Sequence, residues 1–528
     1  MNILGITIFT HDSSSSLIKG QKLIGCCEEE RFTREKHTSK FPIESIKFLL
    51  EKANLESKDI DEVVVPYSPL KNYFSKLFFS FFNNKKISTT IKSLYSDLLL
   101  YFNLRSRIRN LFKSNNINLS KNCKITFLEH HLSHAASSFF VSGYKNSAII
   151  TWDGRGEWPC LLLAKGQDNN IKIIKEQTVP NSLGQFYESI TNYLGFDGIG
   201  DEYKVMGLSA LGEPKYYDII KDLIYTNSEG KVIINKSKWK YNLYQRNQGK
   251  GYEVNFKEFN KRSYEDRIEK KHLDLASSVQ KVFNEIAVNI SRELKKKVNS
   301  NNLCLAGGVA QNIIMNQKIY LESGFKNIFV QPASHDAGLS LGGVLLAASR
   351  EGIKVSEKYF SPFLGPDFSD NYIKSILDST AIKYKIVSKT YIEVAKLIAN
   401  GNVVGWFQGR TEFGPRALGS RSILADPRNP KMKDTVNKKI KFRESFRPFA
   451  PSILREDLSE WFEMNVDTPY MLLVANINSR RKIEMTEEQN NLFGIDKLNI
   501  KRSSIPAVTH VDYSARVQTV TKNTNRRY

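Results

Sequence analysis

The sequence predicts an α/β fold divided into at least two domains. Short apolar runs rich in β-branched residues double back through polar turns, which is the pattern of β-hairpins. Stretches with helical periodicity follow these runs and lead into further strands. A passage rich in Pro, Gly and Ser near residues 355–370 separates this region from a basic C-terminal region, and 528 residues with 41% hydrophobic content can bury a core in each.

Two strand–turn–strand units mark the first region. At the N-terminus, MNILGITIF leads through the turn THDSSSS into LIKGQKLIGCCEEE, and residues 146–166, NSAIITWDGRGEWPCLLLAKG, repeat the arrangement. Each turn carries an aspartate, and the amides and hydroxyls of a turn can approach phosphate oxygens. The pair predicts a duplicated phosphate-binding fold. The alternative is that these are ordinary turns, since Asp and Gly are common in turns of any function.

Helical periodicity in IKSLYSDLLLYFNLRSRIRNLF predicts a helical insertion at about residues 71–124. Its cluster FSKLFFSFF (74–82) is too short to span a bilayer, so we expect a core or partner contact, with membrane-surface binding as the alternative. Later, a helix at 273–297 precedes the strand NLCLAGGVAQN, whose Gly307 and Gly308 let a ligand lie against the backbone. A further strand, NIFVQPASHDAG, ends before a small-residue helix.

Composition excludes some classes of protein and leaves others open. The net charge of +22 favours an anionic partner, but the lysines are scattered, which favours solvated surfaces over a nucleic-acid groove. The five cysteines are odd in number and lack CxxC spacing, so we expect buried thiols. The sequence has no apolar run long enough for a membrane span and no signal-peptide pattern at its start, which predicts a cytoplasmic protein.

Three of the eight histidines fall within EHHLSHAASSFF. On a helix, His130 and His134 share a face, and this spacing lets two imidazoles bind one divalent metal ion. His131 points elsewhere and is a candidate for orienting a ligand. Asp336 in SHDAG is a candidate third ligand, because mixed His and Asp sites suit iron, manganese or zinc. The alternative is a group of ordinary polar histidines at a helix N-terminus.

Several longer motifs occur together in one order. They are FTHDSSSSLI, EEERFTREKHTSKFP, EHHLSHAASSFF, TWDGRGEW, DEYKVMGLSALGEP, LCLAGGVAQN and QPASHDAG, followed by GRTEFGPRALGSRSILADPR, NKKIKFRESFRPFAP and THVDYSARVQTV. This set resembles the carbamoyltransferases of the nodulation protein U type and of cephamycin and tobramycin O-carbamoylation. The resemblance covers nearly the whole chain.

The resemblance implies an actin-like ATPase (ASKHA) domain at residues 1–355 and, after a linker and domain entry at 356–388, an α/β domain at 389–528. The second domain is expected to resemble threonylcarbamoyl-AMP synthases (YrdC-like). Family members use carbamoyl phosphate and ATP to form a carbamoyl-adenylate, and they pass the carbamoyl group to a hydroxyl of a small acceptor. An acyl adenylate is a good electrophile, so the acceptor oxygen faces a lower barrier once it is oriented and deprotonated.

The same resemblance implies roles for residues of the first domain. His130, His134 and Asp336 would hold the metal, with iron as the implied ion. His11 and Lys36 match positions that hold carbamoyl phosphate, although Lys36 alone reads equally well as an exposed lysine. The expected nucleotide and phosphate contacts are Asp12, Asp153, Gly154, Glu202, Lys204, Gly307, Gly308 and Asn312.

In the second domain the resemblance points to a basic site for phosphates and the carbamoyl group. Its expected members are Arg416, Arg421, Lys441, Arg443, Arg447 and Arg516. Arginine binds phosphate oxygens in bidentate fashion and lysine acts as a point charge. Lys441 and Arg447, in the IKxRExFRPFAP element, are the expected catalytic pair. A solvated or nucleic-acid-facing surface is the alternative, and the Gly, Pro and Phe of EFGPRALGSR favour a shaped pocket.

Two features depart from the family pattern. Members usually continue through an NTSFN-like segment, whereas this sequence stops at TKNTNRRY, so we expect the second domain to be incomplete. Tyr513 stands where members often carry glycine, and it is a candidate for narrowing the acceptor pocket. Two alternative functions stay open, namely a threonylcarbamoyl-type tRNA-modifying enzyme and a non-catalytic nucleotide-binding relative. The acceptor stays unidentified, and a homodimer is the expected assembly.

Overall fold

The computed structural model describes residues 1–75, 78, 102–235, 237–241, 252–254, 260–355 and 360–528. The first region contains two five-stranded sheets. In spatial order, the strands of the first sheet are Lys22–Glu28, Ser14–Lys19, Asn2–Thr7, Glu62–Val65 and Lys124–Phe127. The first three pair antiparallel and the last two join in parallel, so the predicted N-terminal hairpin is confirmed.

The second sheet repeats this topology. Its strands, in spatial order, are Asn327–Val330, Asn302–Ala306, Asn146–Trp152, Pro159–Gln167 and Asn170–Thr178. In chain order, the first three strands pair antiparallel with one another. The strand Asn302–Ala306 then pairs in parallel with Asn146–Trp152, and Asn327–Val330 pairs in parallel with Asn302–Ala306, as in the other sheet. The α/β class is confirmed, and the repeated strand order agrees with the duplication that the two hairpins predict.

Helices cover both sheets and fill the space between them. They are Glu30–Thr33, Ile43–Ala53, His130–Phe139, Leu183–Tyr193, Glu202–Ser209, Tyr217–Leu223, Lys270–Lys297, Ile313–Glu322 and Gly338–Arg350. Helices His130–Phe139 and Gly338–Arg350 each follow the fifth strand of a sheet. They pack so closely that a Cβ at Gly342 would overlap the carbonyl oxygen of Ser133. Glycine at this position therefore sets the distance between the two helices.

Part of the predicted insertion is helical, over residues 102–114, and its residues Leu104, Ile108 and Phe112 are buried. Of the rest, residues 76–77 and 79–101 lie outside the described residues, and with them most of the cluster at 74–82. Short hairpins pair Ile224–Thr226 with Val232–Ile234 and Trp239–Tyr241 with Tyr252–Val254. Among the described residues, no helix is both long enough and apolar enough to cross a membrane.

The C-terminal region, residues 360–528, is built from short paired strands. Val404–Phe407 pairs with Arg421–Leu424, Ser452–Leu454 with Gln518–Val520, and Val474–Asn476 with Ser514–Arg516. Its main helices are Asp370–Ser379, which lies within the segment expected to be a linker, and Thr390–Ala399. A π-helix spans Thr435–Ile440 and leads into the basic IKFRESFRPFAP segment. All five cysteines are free and buried, as predicted.

Candidate active site at the junction of the two regions

Three buried side chains and the half-buried Asp153 converge at the N-terminus of helix His130–Phe139. The nitrogen and oxygen atoms that His130, His134, Asp153 and Asp336 offer all lie within 4.8 Å of one another. His134 Nε2 is 3.2 Å from Asp153 Oδ2 and 3.7 Å from Asp336 Oδ1, and the corresponding distances from His130 Nε2 are 3.4 Å and 3.7 Å. Two imidazoles and two carboxylates are a donor set that fits a divalent transition-metal ion.

Local folding explains how these four side chains meet. The helix begins at His130, so His130 and His134 lie one turn apart on the same face, with their ring centroids 4.7 Å apart. Asp153 follows the strand Asn146–Trp152 directly, and Asp336 lies between the strand Asn327–Val330 and its helix. These two strands belong to one sheet, so the second sheet presents both carboxylates to the helix that follows the first sheet.

The imidazoles and carboxylates of this cluster stabilise one another's charged forms. Burial alone lowers the pKa of His130, but Asp336 and Asp153 outweigh it and raise that pKa to about 9. Burial alone raises the pKa of Asp153, and the hydrogen bonds from His130 and His134 bring it well below the usual range. An ion that binds here must displace the proton that His130 holds at neutral pH.

His131 has a structural place beside the cluster. Its Nδ1 is 2.8 Å from Thr151 Oγ1, and its Nε2 is 3.1 Å from the carbonyl oxygen of Pro159. Burial, followed by the charges of His130 and His134, lowers the pKa of His131 to about 3, so its ring is neutral. His131 therefore anchors the helix to the second sheet.

A second group of polar side chains lies at the N-terminal hairpin turn. The carboxylate of Asp12 accepts hydrogen bonds from His11 Nδ1 at 2.6 Å and from His37 Nδ1 at 2.8 Å. Burial alone lowers the pKa of His11, but Asp12 and then Asp336 raise it to about 10. His11 therefore lies within electrostatic reach of the cluster that contains Asp336. Lys36 is exposed, and it is near enough to lower the pKa of Lys441 in the C-terminal region.

Glycine lets the backbone approach closely at the strand-to-helix turn of the second sheet. Gly307 has φ of 88°, and a Cβ there would overlap the carbonyl oxygen of Trp152. A Cβ at Gly308 would lie 3.0 Å from Asp153 Oδ1, so Gly308 borders the four-residue cluster. The Gly154 amide donates to the same Asp153 oxygen at 2.8 Å.

The side chain of Asn312 forms hydrogen bonds within the protein. Its Oδ1 accepts from the amide of Met315 at 3.0 Å and so caps helix Ile313–Glu322, while its Nδ2 donates to Gln280 Oε1 at 3.0 Å. Its side chain thus supports the turn that carries Gly307 and Gly308, and this role adds to the nucleotide contact expected from the sequence.

The helix Glu202–Ser209 of the first region contacts the C-terminal region. Burial raises the pKa of Glu202 at the start of this helix. Lys204 Nζ lies 3.0 Å from Asp201 Oδ2 and 3.4 Å from Glu444 Oε1. Glu444 Oε2 in turn accepts from Arg447 Nη1 at 3.3 Å. The predicted residues Lys204 and Arg447 are therefore linked through one carboxylate.

Several of the predicted basic residues of the C-terminal region lie within electrostatic reach of one another. Burial, and then Arg443 and Arg447, lower the pKa of Lys441. Arg443 Nε donates to Asn437 Oδ1 at 2.6 Å, and burial, with Arg447 and Arg516 adding to it, lowers the pKa of Arg443 to about 10. Such mutual repulsion between cations favours the binding of an anion among them.

Arg416 extends this basic cluster into the first region. Its Nη2 lies 3.3 Å from both the backbone and the side-chain oxygen of Gln311, next to the glycine turn. Burial, and then Arg516, hold the pKa of Arg416 well below its usual range. Arg421 is placed differently, because its Nε pairs with Glu412 at 3.0 Å and its Nη2 donates to the carbonyl of Gly414. Arg421 therefore braces the GRTEFGPRALGSR loop.

Sequence reasoning missed several residues of this site. It placed Asp153 beside phosphates, whereas Asp153 also joins the histidines in the buried cluster. It did not single out His37, Gln311, Tyr203 or Glu444, which join segments far apart in the chain. The KH pair of EEERFTREKHTSKFP was the one available signal for His37, because histidine is rare in this sequence.

Tyr513 has φ of 63°, in the left-handed region that favours glycine. Its hydroxyl accepts from the amide of Met485 at 3.2 Å and donates to the carbonyl of Ile483 at 3.1 Å. The ring thus ties down the neighbouring segment, and these contacts do not involve the basic cluster.

Two family descriptions and several relatives match most of the chain. The family description "Carbamoyltransferase N-terminus" matches residues 2–345, and "Carbamoyltransferase C-terminus" matches residues 395–528. An uncharacterized protein of Synechocystis, sll1178, is 38% identical over 100% of this chain and 88% of its own length. Nodulation protein NolNO of Sinorhizobium fredii is 34% identical over 98% of this chain and 71% of its own. Nodulation protein NolO of Bradyrhizobium diazoefficiens is 36% identical over 76% of this chain and 69% of its own.

Proposed function

The chain belongs to the carbamoyltransferase family, and from this premise we propose that it is an ATP-dependent O-carbamoyltransferase. In the proposed reaction, water cleaves carbamoyl phosphate to carbamate and phosphate, and a carbamate oxygen then attacks the α-phosphorus of ATP and displaces pyrophosphate. The resulting carbamoyl-adenylate then passes its carbamoyl group to a hydroxyl of a small metabolite or sugar, and AMP leaves. Residues 1–355 and 389–528 are the two proposed domains.

One observation carries the proposal: the contact of Arg416 with Gln311, 3.3 Å apart. It brings the basic cluster of the C-terminal region against the glycine turn that borders the buried His and Asp cluster. A reaction that activates a carbamoyl group with a nucleotide needs phosphate-binding groups and acyl-binding groups in one enclosure, so that the reactive intermediate stays away from water. The contact of the two regions beside these groups supports this chemistry.

Each group of residues has a proposed task. His11 and Lys36 bind carbamoyl phosphate, and Asp12 orients the imidazole of His11 through its 2.6 Å hydrogen bond. Arg416, Arg443 and Arg516, with Lys441 and Arg447, bind the phosphates of the nucleotide and stabilise charge on the departing pyrophosphate. Arg421 holds the loop that carries Arg416.

The metal, for which the family resemblance implies iron, fits the donor set of His130, His134, Asp153 and Asp336. When bound, a divalent ion there supplies positive charge to nearby phosphate oxygens. The chain's own part is to hold these four donors in place. Helix His130–Phe139 does so through the backbone amide of His130, which donates to Glu157 Oε1 at 3.1 Å.

The test measures pyrophosphate release by the 528-residue protein with ATP, ferrous iron and carbamoyl phosphate, with no acceptor added. We expect release that requires carbamoyl phosphate and falls in His130→Ala. Release that required threonine and tRNA instead would replace this proposal by a threonylcarbamoyl-type activity. Binding of ATP and metal without any release would support a non-catalytic relative.

A further inference from the structure

Two histidines share one carboxylate at the N-terminal hairpin turn. Asp12 is buried, with 6% of its surface exposed, and each of its oxygens accepts from a different imidazole. The rings of His11 and His37 stand nearly perpendicular, with their centroids 6.4 Å apart and 46% and 38% of the side chains exposed. Because both Nδ1 atoms face the carboxylate, both Nε2 atoms are left on the outer edges of the rings.

The loop that carries His37 is fixed to this turn by its backbone. The amide of His37 donates to Glu30 Oε2 at 3.0 Å, and the amide of Ser13 donates to the carbonyl of Thr38 at 2.9 Å. His37 has φ of 54°, in the left-handed region that histidine and asparagine tolerate better than most residues. The ring is therefore held in place by its carboxylate and by both flanking segments.

The Nε2 edge of His37 lies beside Gly200. A Cβ at Gly200 would lie 3.5 Å from Cε1 and 3.7 Å from Nε2 of His37, and Gly200 has φ of 79°. The helix Glu202–Ser209 follows closely in the chain, and Glu202 lies within electrostatic reach of His11 and Asp153. The Nε2 edge of His37 is therefore next to the segment that approaches both of these groups.

The positive charges around this pair favour an anion as its ligand. His11, Asp12 and His37 also offer donor atoms within 4.8 Å of one another, so a metal ion is the alternative that the Mn²⁺ measurement below tests. A protonated imidazole instead offers an N–H at Nε2, and the hydrogen bond from Asp12 raises the pKa of His37. Lys36 adds a further cation next to His37 in the chain. Two N–H donors and an ammonium suit the oxygens of a phosphoryl group.

We propose that His37 is a second phosphate-binding histidine, which together with His11 holds the phosphoryl group of carbamoyl phosphate through the Nε2 atoms of both rings. The inference rests on the proposed function for the identity of this phosphate ester. It assigns Asp12 the task of orienting both donors at once, and it explains why one buried carboxylate stands between two imidazoles.

The test separates the two nitrogens of the ring by amide substitution. In His37→Asn the amide replaces Nδ1 and keeps the bond to Asp12, but no donor remains at the Nε2 position. In His37→Gln the amide reaches the Nε2 position instead. Isothermal titration with inorganic phosphate and with carbamoyl phosphate should show at least about tenfold weaker binding for His37→Asn, since a charge-assisted hydrogen bond is lost. His37→Gln should keep most of the affinity.

A general loss of folding would not produce the difference expected between His37→Asn and His37→Gln. Asparagine is favoured and glutamine disfavoured at positive φ, so the more stable variant is expected to be the one that loses phosphate. His272→Asn is the matched control, because His272 caps helix Lys270–Lys297 away from the site and asparagine can also accept from the Glu269 amide. Binding of a non-hydrolysable ATP analogue should change less than about twofold in all three variants.

Three results would overturn the inference. They are unchanged phosphate binding in His37→Asn, an equal loss of the ATP analogue and phosphate, and loss of Mn²⁺ binding in His37→Asn, which would make the pair a cation site. Phosphate binding is measured without turnover. A wild-type protein that binds phosphate through His37 and yet releases no pyrophosphate would therefore refute the proposed function and leave the phosphate site standing.

Discussion

The guanidinium of Arg447 lies over the ring of Tyr203, with its central carbon 4.3 Å from the ring centroid. Arg447 belongs to the C-terminal region, and Tyr203 belongs to the helix Glu202–Ser209 of the first region. The same arginine is held from the side by Glu444, which also contacts Lys204. A catalytic candidate of one region is thus positioned by an aromatic ring of the other.

This contact predicts that Tyr203→Leu lowers kcat/KM for carbamoyl-phosphate-dependent pyrophosphate release. A cation–π contact contributes about 0.5–2 kcal/mol, which corresponds to a loss of roughly 2- to 30-fold. Tyr203→Phe keeps the ring and should stay close to wild type. If Tyr203→Phe were as impaired as Tyr203→Leu, the hydroxyl and not the ring would matter, and the stacking explanation would be wrong.

Asp153→Asn is predicted to weaken binding of a divalent metal at the buried cluster by at least about tenfold. An amide oxygen carries no net charge and leaves two imidazoles facing one carboxylate instead of two. Metal content after dialysis against ferrous or manganous salt, measured by mass spectrometry, checks this. Asp168→Asn is the control, because Asp168 is an exposed turn residue at φ of 53° where asparagine is well tolerated. Equal metal content in the two variants would remove Asp153 from the ligand set.

Metal binding is predicted to release protons at neutral pH. The pKa of His130 is raised to about 9, so the imidazole is protonated at pH 7 and must lose its proton to bind an ion. Affinity should therefore rise with pH up to about 9 and then level off, because above that pH the proton is already gone. Titration calorimetry in two buffers of different ionisation enthalpy should give about one proton released per ion at pH 7. No buffer dependence would contradict the protonated state of His130.

Gly307→Ala is predicted to destabilise the protein by more than about 2 kcal/mol, because it combines a left-handed backbone with a steric overlap. The φ of Gly307 is 88°, and the added Cβ meets the carbonyl oxygen of Trp152. Gly324→Ala separates the two effects, since Gly324 has φ of 83° but open space around it. We expect about 1 kcal/mol there. Urea unfolding curves of both variants measure the difference, and equal losses would show that the overlap is relieved by a small backbone shift.

Local signals predicted much of the fold. The hairpins at Asn2–Lys19 and Asn146–Gln167 were visible because strand, turn and strand are contiguous in the sequence, and the structure confirms them. The placement of Asn302–Ala306 beside Asn146–Trp152 was not predicted, because about 150 residues separate the two strands and pairing at that range depends on the packing of the whole sheet.

In the candidate site too, local patterns were predictable from the sequence and long-range contacts were not. The spacing of His130 and His134 predicted that they share a helix face, and the structure places Asp336 beside them. The contacts of Tyr203 with Arg447 and of Gln311 with Arg416 carry no local pattern, because each joins segments that meet only when the two regions pack. Whether the four-residue cluster holds a metal ion stays a prediction until metal content is measured.

The repeated sheet topology bears on ancestry. In each copy the segment after the fifth strand leads into a helix, and these equivalent segments supply His130 and His134 on one side and Asp336 on the other. The two helices meet where Gly342 approaches Ser133, next to His134, so the cluster lies beside the contact between the two copies. A half-length ancestor that paired with itself would already have brought two such segments face to face. Gene duplication and fusion would then have freed each copy to specialise, one toward imidazoles and the other toward carboxylates.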